Sequence, residues 1–378
     1  DRYFAQGFVD DIIVTLSNLK EILVVSRGST IAFADGPVDP ATVSEKLGVR
    51  YVLKGRLRRA GNRLRIWVEL DDAATDRLVW SERYDAMIDD MFALQDEIAI
   101  KAVSSIARFI TTSEVRRAAR IPPQNLNAYD YLLRGVDLLY RLDHDTFPQA
   151  RALLERACEA DPLYAAPYAF AAHWHMFNIA EGWSSAAASD TSEVIRLTER
   201  AIERDPANAL ALAIQGHARA MFLRDHATAL HLIERATTAS PNSAWAWAFG
   251  SGAPGFIGDA ATGIRRAERA IRLSPLDQQA FFSLCLLGQN HYLAGSYEDA
   301  IRWSRRALSL NPRFGNAVRV LAASLVAAGR VAEAQESALH HGTILPRFRL
   351  SEYAERCPFQ EPEARAYVRR LATAGIVM

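Results

Sequence analysis

From Ala128 to about Leu339 the apolar positions recur at helical spacing, and prolines interrupt them regularly. In Ser296–Pro312, Tyr297, Ala300, Ser304 and Ala307 form one stripe, and Asn311-Pro312 ends the helix. The same punctuation falls at Pro162, Pro206, Pro241, Pro275, Pro312 and Pro346, at intervals of 44, 35, 34, 37 and 34 residues. Paired helices at a period near 34 are the tetratricopeptide (TPR) signature.

Three columns of small residues support this register. Twelve residues before each proline stand Ala150, Val194, Ala229, Gly263, Ala300 and Ala334. Five before it stand Ala157, Ala201, Ala236, Ala270, Ala307 and, out of pattern, His341. Ten after it stand Ala172, Gly216, Ser251, Cys285 and Ala322. Small side chains are needed where the helices of a pair approach, since overpacking there costs about 1–3 kcal/mol. The degenerate last repeat suits a terminal position with one face towards solvent. The 44-residue interval is assigned to an irregular insertion, Ala180 to Asp190.

The first 112 residues follow another pattern. Phe8, Ile12, Ile13, Leu16 and Leu19 share a helical face, Ile22 to Ser26 reads as a short strand, and Pro40 to Leu47 as a helix ended by Gly48. The period then becomes two. Tyr51–Leu57 and Leu64–Leu70 alternate around Ala60-Gly61-Asn62, which is hairpin turn chemistry, and Leu78–Tyr84 continues the meander. Met91 to Ile110 is a long amphipathic helix, with Phe92, Ile98, Val103, Ile106 and Ile110 among its apolar positions. This order predicts an α/β domain, a mixed sheet with helices, followed by an all-α TPR solenoid. The expected organisation is an α/β domain over 1–112, a linker over 113–127 carrying Pro122-Pro123, about six helix pairs over 128–349, and a capping helix within 350–378.

Composition narrows the chemistry. Half of the 378 residues are hydrophobic, and 44 basic residues balance 44 acidic ones, which gives no bulk attraction to nucleic acid or anionic membrane. No apolar run has the roughly 18–20 residues that cross a bilayer. The three cysteines, Cys158, Cys285 and Cys357, are isolated, as expected of reduced thiols in a cytoplasmic protein. Asp1 starts the chain without an initiating methionine, which suggests a piece of a longer one.

Residues 4–17 (FAQGFVDDIIVTLS), 47–70 (LGVRYVLKGRLRRAGNRLRIWVEL) and 84–99 (YDAMIDDMFALQDEIA) resemble the TolB-type amino-terminal domain. That domain precedes TPRs in bacterial class III adenylate/guanylate cyclases and winged-helix transcriptional regulators. AYDYLLRG at 128–135, PFQEPE at 358–363 and the Thr373-Ala374-Gly375-Ile376 tail are similar to the same group. The resemblance implies a regulatory half whose effector, a cyclase or a DNA-binding domain, lies upstream. It transfers no catalytic residue.

The residues themselves point the same way. There is no Gly-rich phosphate loop and no G-x-S-x-G elbow. Asp71-Asp72 and Asp89-Asp90 are the available carboxylate pairs, at a strand end and a helix start, where turn and capping roles explain them. His173 and His175 lie two apart on a helix, and His340 and His341 are adjacent, so neither pair shares a face suited to one ion. No catalytic residue, metal site or cofactor is therefore expected. Lys54, Arg56, Arg58, Arg63 and Arg65 form a basic patch on the outer hairpin face, either solvated or a nucleic-acid contact. Registering the first helix of each repeat places His173, Met176, Phe177, His217, Trp245, Phe282, Asn290 and Arg319 on the concave wall. Such a lining suits a protein or peptide partner; alternatively the aromatics fill a tightly wound groove or contact the α/β domain.

Overall fold

The computed structural model describes residues 2–18, 23–34, 36, 38–106, 126–275, 277, 279–345 and 348–376. The chain forms two compact units: Asp1–Tyr164 with Ser240–Ser243 and Leu273–Asp277, and Ala165–Ala239 with Ala244–Arg272 and Gln278–Met378.

In the first unit a meander follows three helices, α1 (Arg2–Ser17), α2 (Arg27–Thr30) and α3 (Pro40–Leu47). Strands β1 (Tyr51–Ala60), β2 (Arg63–Asp72) and β3 (Arg77–Met87) lie in the order β1-β2-β3. Both pairings are antiparallel. The period-two pattern sets the faces. Leu64, Ile66, Val68 and Leu70 are buried. They pair with Arg59, Leu57, Gly55 and Leu53 of β1. Phe8 and Ile12 of α1 close this core with Met91, Leu94 and Ile98 of α4 (Met91–Ile106). Asp39 starts α3 by accepting hydrogen bonds from the amides of Ala41 and Thr42. Gly48 ends it at φ +66°, where a side chain would be strained.

Leu23–Ser26 corrects one expectation. It stays outside the sheet, because Val25 is held by side-chain packing on Val43, Leu47 and Val52 rather than by a ladder. The sheet of the described residues is thus antiparallel where a mixed one was expected. Ile22, the end of the 91–110 helix and most of the 113–127 linker lie outside the described residues. Helices α5 (Leu126–Arg141) and α6 (Phe147–Ala160) complete this unit. Tyr129 of α5 is fully enclosed there, its hydroxyl donating to Asp11.

The second unit is helical throughout its described residues. Helix pairs follow in chain order: α7 (Ala165–Ala180) and α8 (Ala187–Arg204); α9 (Ala209–Ala218, continued by a π turn, Arg219–Leu223) and α10 (His226–Ala239). In the next pair the first helix is broken into α11 (Ala244–Phe249) and α12 (Gly252–Phe256) before α13 (Ala260–Leu273). Then come α14 (Ala280–Leu293) and α15 (Tyr297–Leu310), α16 (Gly315–Ala327) and α17 (Val331–Ile344), and finally α18 (Leu350–Arg356) and α19 (Glu363–Thr373). Pro162, Pro206, Pro241, Pro275 and Pro312 each stand two residues beyond a helix end. The small-residue columns are buried, including His341. At Gly288 the reason is visible: an added β-carbon would press on Ser304 and the Ala300 carbonyl. The fold is therefore an α/β domain followed by TPR-type helical hairpins.

The insertion is shorter than expected. The irregular segment is 181–186; Ala180 ends α7, and 187–190 open α8. Asp190 is helical because its carboxylate is bound from α7, by His175 Nδ1 at 2.5 Å and Asn178 Nδ2 at 2.9 Å, which seats the first turn of α8.

Candidate functional site

The candidate site is the interior of the second unit, where the first helices of successive pairs meet. His173 stacks on Phe177 at 4.6 Å and meets Trp245 edge-on at 4.6 Å. Trp245 lies 5.5 Å from Phe249 and 6.1 Å from Phe282. Phe282 is 5.0 Å from Phe249 and 5.7 Å from His217. The His217 ring is fixed by the Phe249 carbonyl, 3.0 Å from Nδ1. Burial pushes the His173 imidazole down to about 3 and His217 to about 4, so both are neutral at neutral pH.

Sequence reasoning thus named residues that do converge, but not as an accessible wall. Seven of the eight, all but Trp245, are buried, and Trp245 is half-buried. The rings fill the winding of the hairpins, because edge-to-face aromatic contact and removal from water both favour closure. Asn290 serves as internal structure: its amide donates to the carbonyls of Leu286 and Ser251, at 2.8 and 3.1 Å. Gly255 and Gly263 leave the room it occupies. Met176 is buried in the same interior.

Arg319 belongs to a neighbouring group. Its guanidinium lies over the rings of Phe348, at 5.0 Å, and Tyr353, at 5.3 Å. Nη1 stands 3.3 Å from Nε2 of His341. Burial, helped by the Arg319 charge, pushes His341 down to about 3.

Phe249, Phe281, Phe314, Tyr353, Glu181 and Leu345 were missed. Phe281 and Phe314 pack on each other at 4.9 Å. Their signal was available, since they sit six and two residues after stop prolines, where first helices begin. Glu181 and Leu345 lie in connections and carry no periodic signal.

The other candidates are structural. Lys54 is held by Glu69 and Asp71, at 3.2 and 3.0 Å, and Arg65 by Asp85 at 2.5 Å. Two of the five charges of the hairpin patch are thereby offset, while Arg56, Arg58 and Arg63 are exposed. Asp72 is gripped by Arg50, whose hydrogen bonds hold its carboxyl below the usual range. Asp89 and Asp90 fall in the turn that leads into α4. His340 binds the Pro312 carbonyl at 2.7 Å, away from His341. Among the described residues no three His, Cys, Asp or Glu side chains gather as a metal set. No helix among them is long and apolar enough to cross a membrane.

Comparison with known proteins adds three findings. Residues 3–101 match a family model described as the HilA/YgeH-like transcriptional regulator, second domain. A protein of Rhizobium meliloti (strain 1021) named putative adenylate cyclase 3 is 34% identical over 203 residues, which is 54% of this chain. The match covers 35% of that relative's own length. Among solved structures, the APC/C hetero-tetramer Cut9–Hcn1 aligns over 75% of this chain and 52% of its own, with 14% identity and a TM-score of 0.48. YrrB, described as a TPR protein with an unusual peptide-binding site, aligns over 53% of this chain and 97% of its own, with 14% identity and a TM-score of 0.33. Scores this low leave the fold to rest on the register of the chain's own helices.

Proposed function

We propose that this chain is a non-catalytic regulatory module of a bacterial signalling protein, acting by protein–protein interaction in the cytoplasm. The observation that carries this reading is the run of helical hairpins with buried small-residue seams. Such a solenoid transmits strain between neighbouring repeats and offers extended surface to another chain. The match to a cyclase-named relative over about a third of that relative's length supports an effector domain outside the matched region. The resemblance of residues 4–110 to the TolB-type domain supports the same placement. The bound partner would be a protein or peptide segment, or the effector domain itself. Engaging His173, Phe177, Trp245 and Phe282 would require the winding to open, because these side chains now cover one another, and Arg319 is covered by Phe348 and Tyr353.

A second reading, a nucleic-acid-binding regulator, is favoured by the description of the family matched by residues 3–101 and by exposed Arg56, Arg58 and Arg63. A salt-dependent affinity for duplex DNA, lost on replacing those three arginines, would select it.

The test of the first reading is the output of the longer gene product. Its effector activity is measured with the helical unit intact and with Ala300→Leu, which strains one seam. Altered output or altered response to stimulus is expected. Unchanged output with the seam demonstrably loosened would refute the regulatory role.

A further inference from the structure

Arg319 is 8% exposed, and no Asp or Glu among the described residues pairs with it. Its only hydrogen-bond contact there is the 3.3 Å approach of Nη1 to His341. Nε is buried without a partner. Among the described residues, the titratable side chains beside the cation are uncharged at neutral pH. His341 is neutral, burial pushes the Cys285 thiol up to about 12, and burial also raises the Tyr353 hydroxyl. A cation taken out of water without a counter-charge costs several kcal/mol, and two aromatic faces return only part of it.

The space around the guanidinium is also built. Gly315 precedes Arg319 by one helical turn. A β-carbon there would stand 3.4 Å from Nη1 and would overlap a Leu345 methyl. Leu345 also fills the place a β-carbon of Gly182 would take. An apolar side chain thus stands beside an uncompensated charge, in a hollow that two glycines provide.

We propose that Arg319 is the receptor for an oxyanion, the phosphate or carboxylate group of a small ligand, which enters as Leu345 moves aside. The Nε–Nη2 edge makes no hydrogen bond among the described residues, and that edge of a guanidinium accepts two oxygens side by side. His341 Nε2 stands 3.3 Å from Nη1, and the rings of Phe348 and Tyr353 lie against the guanidinium face. Such a site gives the regulatory unit a small-molecule input, and it stands whether or not a protein partner binds.

The test is calorimetric titration of the intact chain with inorganic phosphate and, separately, with succinate, at neutral pH and matched ionic strength in chloride. Saturable binding of at least one probe is expected, with a matching rise in unfolding midpoint. Phosphate alone would indicate a phosphorylated ligand, and succinate alone a carboxylate. Arg319→Gln should abolish binding. Arg319→Lys keeps the charge but not the fork, and should weaken binding roughly ten-fold, the worth of one charge-assisted hydrogen bond. No saturable binding by the native chain would overturn the proposal, as would equal affinity in Arg319→Gln. Should that variant fail to fold, undiminished affinity in Arg319→Lys would overturn it.

Discussion

The Glu181 carboxylate accepts a hydrogen bond from the Asn311 side-chain amide at 3.0 Å, across 130 residues of sequence. It ties the segment after α7 to the turn between α15 and α16. Leu345 fills the adjoining hollow at Gly182 and Gly315. The aromatic interior of the second unit is therefore closed by contacts between its early and late repeats.

Glu181 makes that closure depend on pH. Burial raises its carboxyl from an ordinary 4.5 to about 7, opposed by Asn311 and the nearby charge of Arg313. Between these values the folded state keeps a proton that the unfolded state has lost. The stability is complete below pH 4.5 and is lost as pH rises through 7, by up to about 3 kcal/mol. Asp10, also raised to about 7, acts in the same direction, and the histidines act in the opposite one below pH 6.5. The decisive quantity is thus the difference between the native chain and Glu181→Gln. Denaturation midpoints should show the variant gaining relative stability from pH 5 to pH 8. Parallel profiles would exclude Glu181 as the source.

Gly182 has φ +72°, and a side chain there would collide with Leu345. Gly182→Ala should cost about 1–2 kcal/mol for the left-handed backbone alone, and more for the collision. Gly329, likewise left-handed at φ +77° but with open space around it, should show only the backbone part as Gly329→Ala. Equal urea midpoints for the two variants would mean that Leu345 does not occupy the hollow.

Ala300→Leu should destabilise more than Ala338→Leu. Ala300 is fully enclosed, with its carbonyl against Gly288, whereas Ala338 lies in α17, the second helix of the degenerate repeat, and keeps 8% exposure. Overpacking at the former costs about 1–3 kcal/mol. Coincident denaturation curves would put the repeat register in error.

How much of this was legible in the sequence follows from periodicity. Stop prolines and small columns report local backbone geometry, so helix ends and seams could be read directly. Gly61, at φ +61°, marked the hairpin for the same reason. Leu23–Ser26 has strand composition, but it forms no ladder: Val25 packs on Val43, Leu47 and Val52, Leu23 is exposed, and the Ser26 amide donates to the Leu273 carbonyl. The candidate residues are largely buried, the tightly wound alternative that helical spacing leaves open, because spacing tells which side chains share a face and not how tightly the faces wind. Glu181 meets Asn311, and Leu345 meets Gly182, only through the stacking of the helix pairs between them, which no local pattern records.

Phe282→Ala tests the packed interior itself. Phe282 contacts Trp245, Phe249, Phe177 and His217. Its truncation should cost about 3–5 kcal/mol. Arg56→Ala and Arg58→Ala, on the exposed strand face, should stay within about 0.5 kcal/mol of the native chain. A Phe282 variant as stable as these would show that the interior is open to water.

The non-catalytic role is tested most directly by incubating the purified chain with ATP or GTP and magnesium or manganese, and assaying cyclic nucleotide. No product above a buffer blank is predicted, because the paired aspartates are committed elsewhere: Asp71 to Lys54, Asp72 to Arg50 and Asp90 to a helix-initiating turn. Turnover that survives repurification and scales with the amount of chain would contradict the account.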